Sequence, residues 1–130
     1  MLRLALAGEA RYAIDERELA HGASGYTVDT LASLRAEHGP EQPLFLLMGA
    51  DQHSRLGTWH RWQELSGLCR IAVFARPGWK ADSPGAEHVP MEPLAISASE
   101  IRARIRRGAD IAALVPAPVA AYIRERGLYR

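Results

Sequence analysis

Cysteine is all but missing from this chain. Cys69 stands alone, so no internal disulfide can form, and the composition favours a reducing cytoplasm, with Cys69 read as inert core. Lysine is equally scarce: Lys80 faces fifteen arginines, a bias that coding composition produces by itself and to which we give little weight. No apolar run approaches the ~20 residues of a membrane span, and the opening MLRLALAG is too brief for a signal peptide, so no membrane partner is expected. GxSxG, Walker and GxGxxG stretches are absent, which removes the motifs of hydrolases, kinases and dinucleotide reductases. The histidines, His21, His38, His53, His60 and His88, show no ligand spacing with Cys, Asp or Glu, and no structural metal is expected. No basic stripe interleaved with aromatics is present, so no nucleic-acid partner is expected either.

What the chain does contain is an ordinary soluble composition, 48% apolar and 24% charged, in 130 residues. That length suits one domain over residues 1–130, able to bury roughly two-thirds of its unfolded surface. The net charge of +1 is unevenly spread. From Ser97 onward seven arginines face only Glu100, Asp110 and Glu125, leaving the remainder at minus three, a distribution that suits a small anionic ligand.

The stretch from Leu44 to Trp62, LFLLMGADQHSRLGTWHRW, anchors the reading. Leu44 to Met48 is an unbroken apolar run ended by Gly49, expected to be a strand buried on both faces, as in parallel sheets flanked by helices. Open α/β sheets bind ligands beyond the carboxyl ends of their strands, where Gly49, Asp51, Thr58 and Trp59 fall. Arg70 to Ala75 reads as a second buried strand, and Glu87 to Met91 as a short one. Leu2 to Leu6 fits strand or helix, Arg11 to Asp15 alternates as a strand does, and Glu16 to Gly25 reads as a loop. A helix with Ser24 or Thr27 as cap buries Val28, Leu31 and Leu34 and ends at Gly39 and Pro40. After Asp51 the chain reads as irregular and then helical through Leu65, and Lys80 to Glu87 as a surface loop. Ser97 and Glu100 form a capping box with Ile96 and Ile101 as its staple, opening a helix that ends at Gly108. A last helix begins near Pro116, buries Val119, Tyr122 and Ile123, and stops at Gly127 with Leu128 and Tyr129 packing back. Strands alternating with helices make an α/β domain.

The helix start at Ser97 offers free N–H groups and a positive dipole end to an anion, with Arg102 leaning back over it, unless Arg102 is simply solvated. Trp59 sits in a polar loop, either stacking on a ligand or packing against Trp62. Asp51 either accepts ribose hydroxyls or closes a turn.

DERELAHGASGYTVDTL, FLLMGAD, TWHRW, FARPGW, ISASEIR and LVPAPVAAYIRERGLYR, in this order over nearly the whole chain, resemble bacterial nicotinate-nucleotide adenylyltransferase. The resemblance implies a Rossmann-like nucleotidyltransferase fold that condenses ATP with nicotinate mononucleotide, giving deamido-NAD and pyrophosphate, with magnesium accompanying ATP. Tyr26 and Thr27 match the segment contacting the nicotinate end, and Trp59, followed by His60, matches the ring that stacks on the pyridine. Gly49 and Asp51 match the ATP-side loop, Asp51 on ribose, and Arg76 matches the Arg before Pro-Gly that helps with phosphates. Ser97 and Arg102 match the phosphate-holding I-S-x-T-x-x-R signature, with Ser99 in place of Thr.

The family's opening G-x-F-x-P-x-H-x-G-H, whose histidines stabilise the transferring phosphoryl group, has no counterpart, so the catalytic positions are not identified and the N-terminal strands are expected to be missing. In the sheet order 3-2-1-4-5, Arg11 to Asp15 would be strand three, Leu44 to Met48 strand four and Arg70 to Ala75 strand five, leaving one edge of strand four open. The alternatives to an active transferase are a non-catalytic pyridine-nucleotide-binding module and an inactive remnant. The sequence leaves the oligomeric state and the preference for nicotinate over nicotinamide open.

Overall fold

The computed structural model describes residues 1–79, 85–92 and 94–130. In chain order the helices are α1 (Leu2–Ala5), α2 (Thr27–His38), α3 (Ala50–His53), α4 (Leu65–Leu68), α5 (Ala98–Arg106) and α6 (Ala117–Glu125). The strands are β1 (Phe45–Gly49), β2 (Arg70–Phe74) and β3 (Glu87–Val89), and short 3-10 turns occupy Arg17–Leu19, Leu56–Thr58 and Trp62–Glu64. By contact density the chain divides into two compact units, residues 16–94 and residues 1–15 with 95–130.

The 16–94 unit holds a three-stranded parallel sheet in the order β1-β2-β3. Leu46 pairs in register with Ile71 and Met48 with Val73, so these four share one face. That face meets Val28 and Leu31 of α2 and Leu65 of α4 in a single core that also takes in Ala50, Leu56 and Cys69. Val28, Leu65 and Val73 are essentially sealed from water. The Cys69 thiol lies within this core, where burial pushes its pKa up, in keeping with an inert side chain.

Arg35 ties the lower end of this unit together. From α2 its guanidinium donates to the Leu68 carbonyl at the end of α4, from Nη2 at 2.6 Å and Nε at 3.2 Å. Nη1 donates to the carbonyls of Gly39, Pro40 and Gln42, leading into β1. One cation thus satisfies carbonyls that two helix ends leave over.

Several expectations are corrected here. The anchor strand is not buried on both faces: Phe45 and Leu47 are 45% and 62% exposed, because α2 and α4 pack on the alternate positions only. One edge of this strand is expected to be open, and no strand pairs there among the described residues. Arg11 to Asp15 is not a strand, since alternation without a neighbouring strand gives its N–H and C=O groups no ladder to join. Leu2 to Leu6, undecided from pattern, is the short helix α1. Neither Ser24 nor Thr27 caps α2; the N-cap is Tyr26, without a side-chain cap bond. The surface loop expected from Lys80 to Glu87 falls largely outside the described residues.

In the other unit, Ile111, Val119, Ala120 and Ile123 form a small core against Leu4, Ala5, Ile101, Ile105, Val115 and Leu128. Tyr122, expected inside, is only half-buried and lies beneath the Arg126 guanidinium, 5.6 Å from its ring centre. Both long helices end as the sequence indicates. The Ala109 N–H reaches the Arg104 carbonyl and the Leu128 N–H the Ile123 carbonyl, the reversed bonds of a Schellman ending.

Candidate functional site

The expected site residues fall into three groups. Tyr26 and Thr27 form the start of α2, while Thr58, Trp59 and His60 follow the 3-10 turn after α3. More than thirty positions apart in sequence, they line one cleft of about 270 Å³ together with Gly25, Val28 and Leu65. Its floor is core: Val28 and Leu65 are 1% exposed, and half-buried Trp59 packs against the same cluster. Trp59 therefore shows one part to the core and another to the cleft. Trp62, the alternative partner named from the sequence, is 39% exposed and not part of that core. At the mouth the rings of Tyr26 and His60 stack, centroids 4.1 Å apart at 23°.

The twelve-residue helix α2 starts at Tyr26 without a side-chain cap bond. Among the described residues no side chain accepts from its first N–H groups, so the positive end of the helix opens beside Thr27 and Val28. Ser24, the nearest candidate cap, instead accepts from Tyr26 N–H at 3.2 Å and donates to Asp29 at 2.6 Å. Asp29, the acidic residue of the first turn, is engaged a second time by Arg61 at 3.1 Å.

The second group sits at the carboxyl end of the sheet. Gly49 closes β1, Asp51 lies in the first turn of α3, and Arg76 follows β2 at a Pro-Gly turn closed by Trp79 N–H to Arg76 C=O at 2.8 Å. Gly78 takes φ +80°, as such a turn demands. Arg76 Nε donates to Asp51 Oδ1 at 3.4 Å. A Cβ on Gly49 would stand 2.5 Å from that carboxylate oxygen and 2.9 Å from the Arg76 nitrogen, so the pair needs glycine at this position. Partial burial opposes the charge on Asp51, but the Gln52 amide and the Arg76 cation outweigh it and hold the carboxyl below its ordinary value.

The third group begins α5. Ser97 Oγ accepts from Glu100 N–H at 3.2 Å, the cap expected from sequence, and lies 3.0 Å from Ser99 Oγ. The reciprocal half of the capping box is not made. The Glu100 carboxylate turns instead to Arg104 and Arg107, at 3.1 and 3.3 Å, where cations on its own helix offer a stronger partner than a neutral N–H. Ser97, Ser99 and Arg102 are all exposed, and Arg102 makes no ion pair among the described residues.

Sequence reasoning passed over Arg61 and Asp29. Arg61 was visible only as the fourth letter of TWHRW, and its bond to a residue 32 positions away leaves no local pattern.

A parallel sheet flanked by helices, with ligand-sized space and charged groups at strand and helix ends, is the arrangement in which open α/β folds bind ligands. The model of the cytidylyltransferase-like family matches residues 1–104. Over its whole length the chain is 45% identical to the "Probable nicotinate-nucleotide adenylyltransferase" of Laribacter hongkongensis, of which it covers 70%. It is 39% identical to the protein of that name in Pseudomonas syringae pv. tomato, covering 69%, and 41% identical to that in Bordetella petrii, covering 71%. The chain belongs to the nicotinate-nucleotide adenylyltransferase family of transferases.

Its fold matches that of Plasmodium falciparum nicotinic acid mononucleotide adenylyltransferase. The TM-score is 0.69 against the complex with NaAD, covering 85% of this chain and 60% of that one. Against the complex with APC it is 0.73, covering 91% and 64%. Sequence identity is 21% in both, so these two matches speak for the fold alone. No helix among the described residues is long and apolar enough to cross a membrane.

Proposed function

We propose that this chain serves the transfer of AMP from ATP to nicotinate mononucleotide, giving deamido-NAD and pyrophosphate, in the cytoplasm, with residues 1–130 as one nucleotidyltransferase-like domain. The observation that carries the reading is the cleft in which Tyr26, Thr27, Trp59 and His60 come together at the uncapped start of α2. Trp59 supplies a ring face for the pyridine, anchored from behind by the core. The free N–H groups of α2 supply donors and a positive dipole end, which favour the carboxylate of nicotinate over the neutral amide of nicotinamide. The charge of Asp29 would oppose that carboxylate, but Ser24 and Arg61 already occupy it.

On the ATP side, Asp51 stays ionised and presents acceptors to ribose hydroxyls beside Gly49, where the missing side chain leaves room, while Arg76 adds a cation for phosphates. Ser97 and Ser99 supply hydroxyls at the start of α5 and Arg102 an exposed cation further along the same helix, groups suited to phosphate oxygens. Nucleotidyltransferases use a divalent metal with ATP, and we assign Mg2+ as part of the nucleotide substrate. Among the described residues no group of three His, Cys, Asp or Glu side chains is placed to hold a metal ion. In adenylyl transfer such groups act by positioning and by stabilising charge at phosphorus.

The alternative reading is a pyridine-nucleotide-binding module without catalysis. Assaying pyrophosphate release from ATP and nicotinate mononucleotide, beside calorimetric binding of each ligand, separates the two. Binding with release supports the transferase, binding without release supports the module, and no binding of either ligand refutes both.

A further inference from the structure

Arg61 lies just outside the cleft lining, and nothing above gives it a part in the chemistry. Its backbone is left-handed, φ 51° and ψ 38°, a conformation that a residue with a Cβ keeps only when its surroundings hold it. Its side chain shows what does so. Nε and Nη2 grip Glu64 at 2.8 and 2.6 Å, and Nη1 reaches across to Asp29 at 3.1 Å. One end of this clamp is the residue next to His60; the other is the first turn of α2, two positions past Thr27. We propose that Arg61 is a positioning residue, which sets the width and register of the cleft by tying the Trp59–His60 wall to the Tyr26–Thr27 wall through Asp29. The inference rests on the reading of that cleft as the nicotinate mononucleotide site.

Magnitudes point the same way. Arg61, Asp29 and Glu64 are all about half exposed, and ion pairs of that exposure add little to stability. A planar fork that fixes three bonds at once nevertheless restricts orientation strongly, and lysine cannot reproduce it. Loss of the clamp therefore leaves the fold intact and loosens the site.

The test uses the full chain, titrated by calorimetry with nicotinate mononucleotide and separately with ATP. Arg61→Ala and Asp29→Asn are each expected to weaken mononucleotide binding about tenfold, as misplacement of a binding group does. ATP affinity and the melting temperature stay close to wild type. Arg61→Lys, which keeps the charge without the fork, is expected to behave like Arg61→Ala, and the double variant Arg61→Ala with Asp29→Asn to bind no worse than Arg61→Ala alone. A direct charge effect predicts the opposite sign: removing the Asp29 carboxylate would tighten an anionic ligand, and the Arg61→Lys variant would match wild type. Either result overturns the inference.

A ligand-free readout accompanies the titrations. In a protein carrying Trp62→Phe and Trp79→Phe, acrylamide quenching of Trp59 should rise on Arg61→Ala, and unchanged quenching contradicts the clamp. If wild type binds no mononucleotide at all, the functional reading fails while the quenching still decides the role of Arg61.

Discussion

Two helices of this molecule start in opposite ways. α5 closes its own first turn, with the Ser97 hydroxyl taking the Glu100 N–H, whereas α2 begins at Tyr26 with no side-chain acceptor. Capping is worth about 1 kcal/mol, so a helix that forgoes it leaves donors for something else. At α2 those donors open into a cleft with an aromatic wall, suited to a flat ring carrying a carboxylate. At α5 the first turn carries the Ser97 and Ser99 hydroxyls, and exposed Arg102, further along the helix, has no ion-pair partner among the described residues, a setting suited to phosphate. Under the proposed function, this contrast matches nicotinate mononucleotide to the start of α2 and ATP phosphates to the start of α5.

The most severe break is at the aromatic wall. Trp59→Ala should cost roughly 1 to 3 kcal/mol of nicotinate mononucleotide binding, by analogy with base-on-aromatic stacking, as read by calorimetric titration. Next is an exchange of character between the two starts. Tyr26→Asp gives α2 the cap it lacks and should stabilise the helix by about 1 kcal/mol, offset in part by loss of the ring stack with His60. The same change places an anion at the mouth of the cleft, so mononucleotide affinity should fall while the melting temperature holds or rises. Ser97→Ala is the counterpart at α5 and should lower stability by about 1 kcal/mol in a denaturant titration, while leaving mononucleotide binding as it was.

How far these features were readable varied with their range. The start and end of α5, the ending of α6 and the apolar runs of β1 and β2 follow from neighbouring residues, and they stand where the sequence places them. Arg11 to Asp15 alternates as a strand would, but pairing needs a partner that its own letters do not specify. The exposed face of β1 was misread for a related reason. A continuous apolar run says that both faces can be buried, while cover for Phe45 and Leu47 depends on what packs there. Trp59, Tyr26 and Thr27 were named through the family resemblance; pattern alone left Trp59 undecided between a ligand and Trp62. The Asp29–Arg61 link stayed hidden because it joins residues 32 apart.

The smallest effect concerns pH. The hydrogen bond from Arg61 holds the Glu64 carboxyl below its ordinary value of 4.5, so the contribution of this pair is present above that value and disappears as pH falls through the lower folded one. Mononucleotide binding should therefore weaken in that acidic window for wild type, and Glu64→Gln should remove this part of the pH dependence. An identical acid profile in both proteins would separate Glu64 from the clamp.

The assignment of two substrates to two helix ends is tested most directly by one crossed set of calorimetric titrations: Trp59→Ala and Arg102→Ala, each against nicotinate mononucleotide and against ATP. The account predicts that Trp59→Ala loses mononucleotide affinity and keeps ATP affinity, while Arg102→Ala does the reverse. Equal losses of both ligands in either variant, or no loss in both, would contradict it.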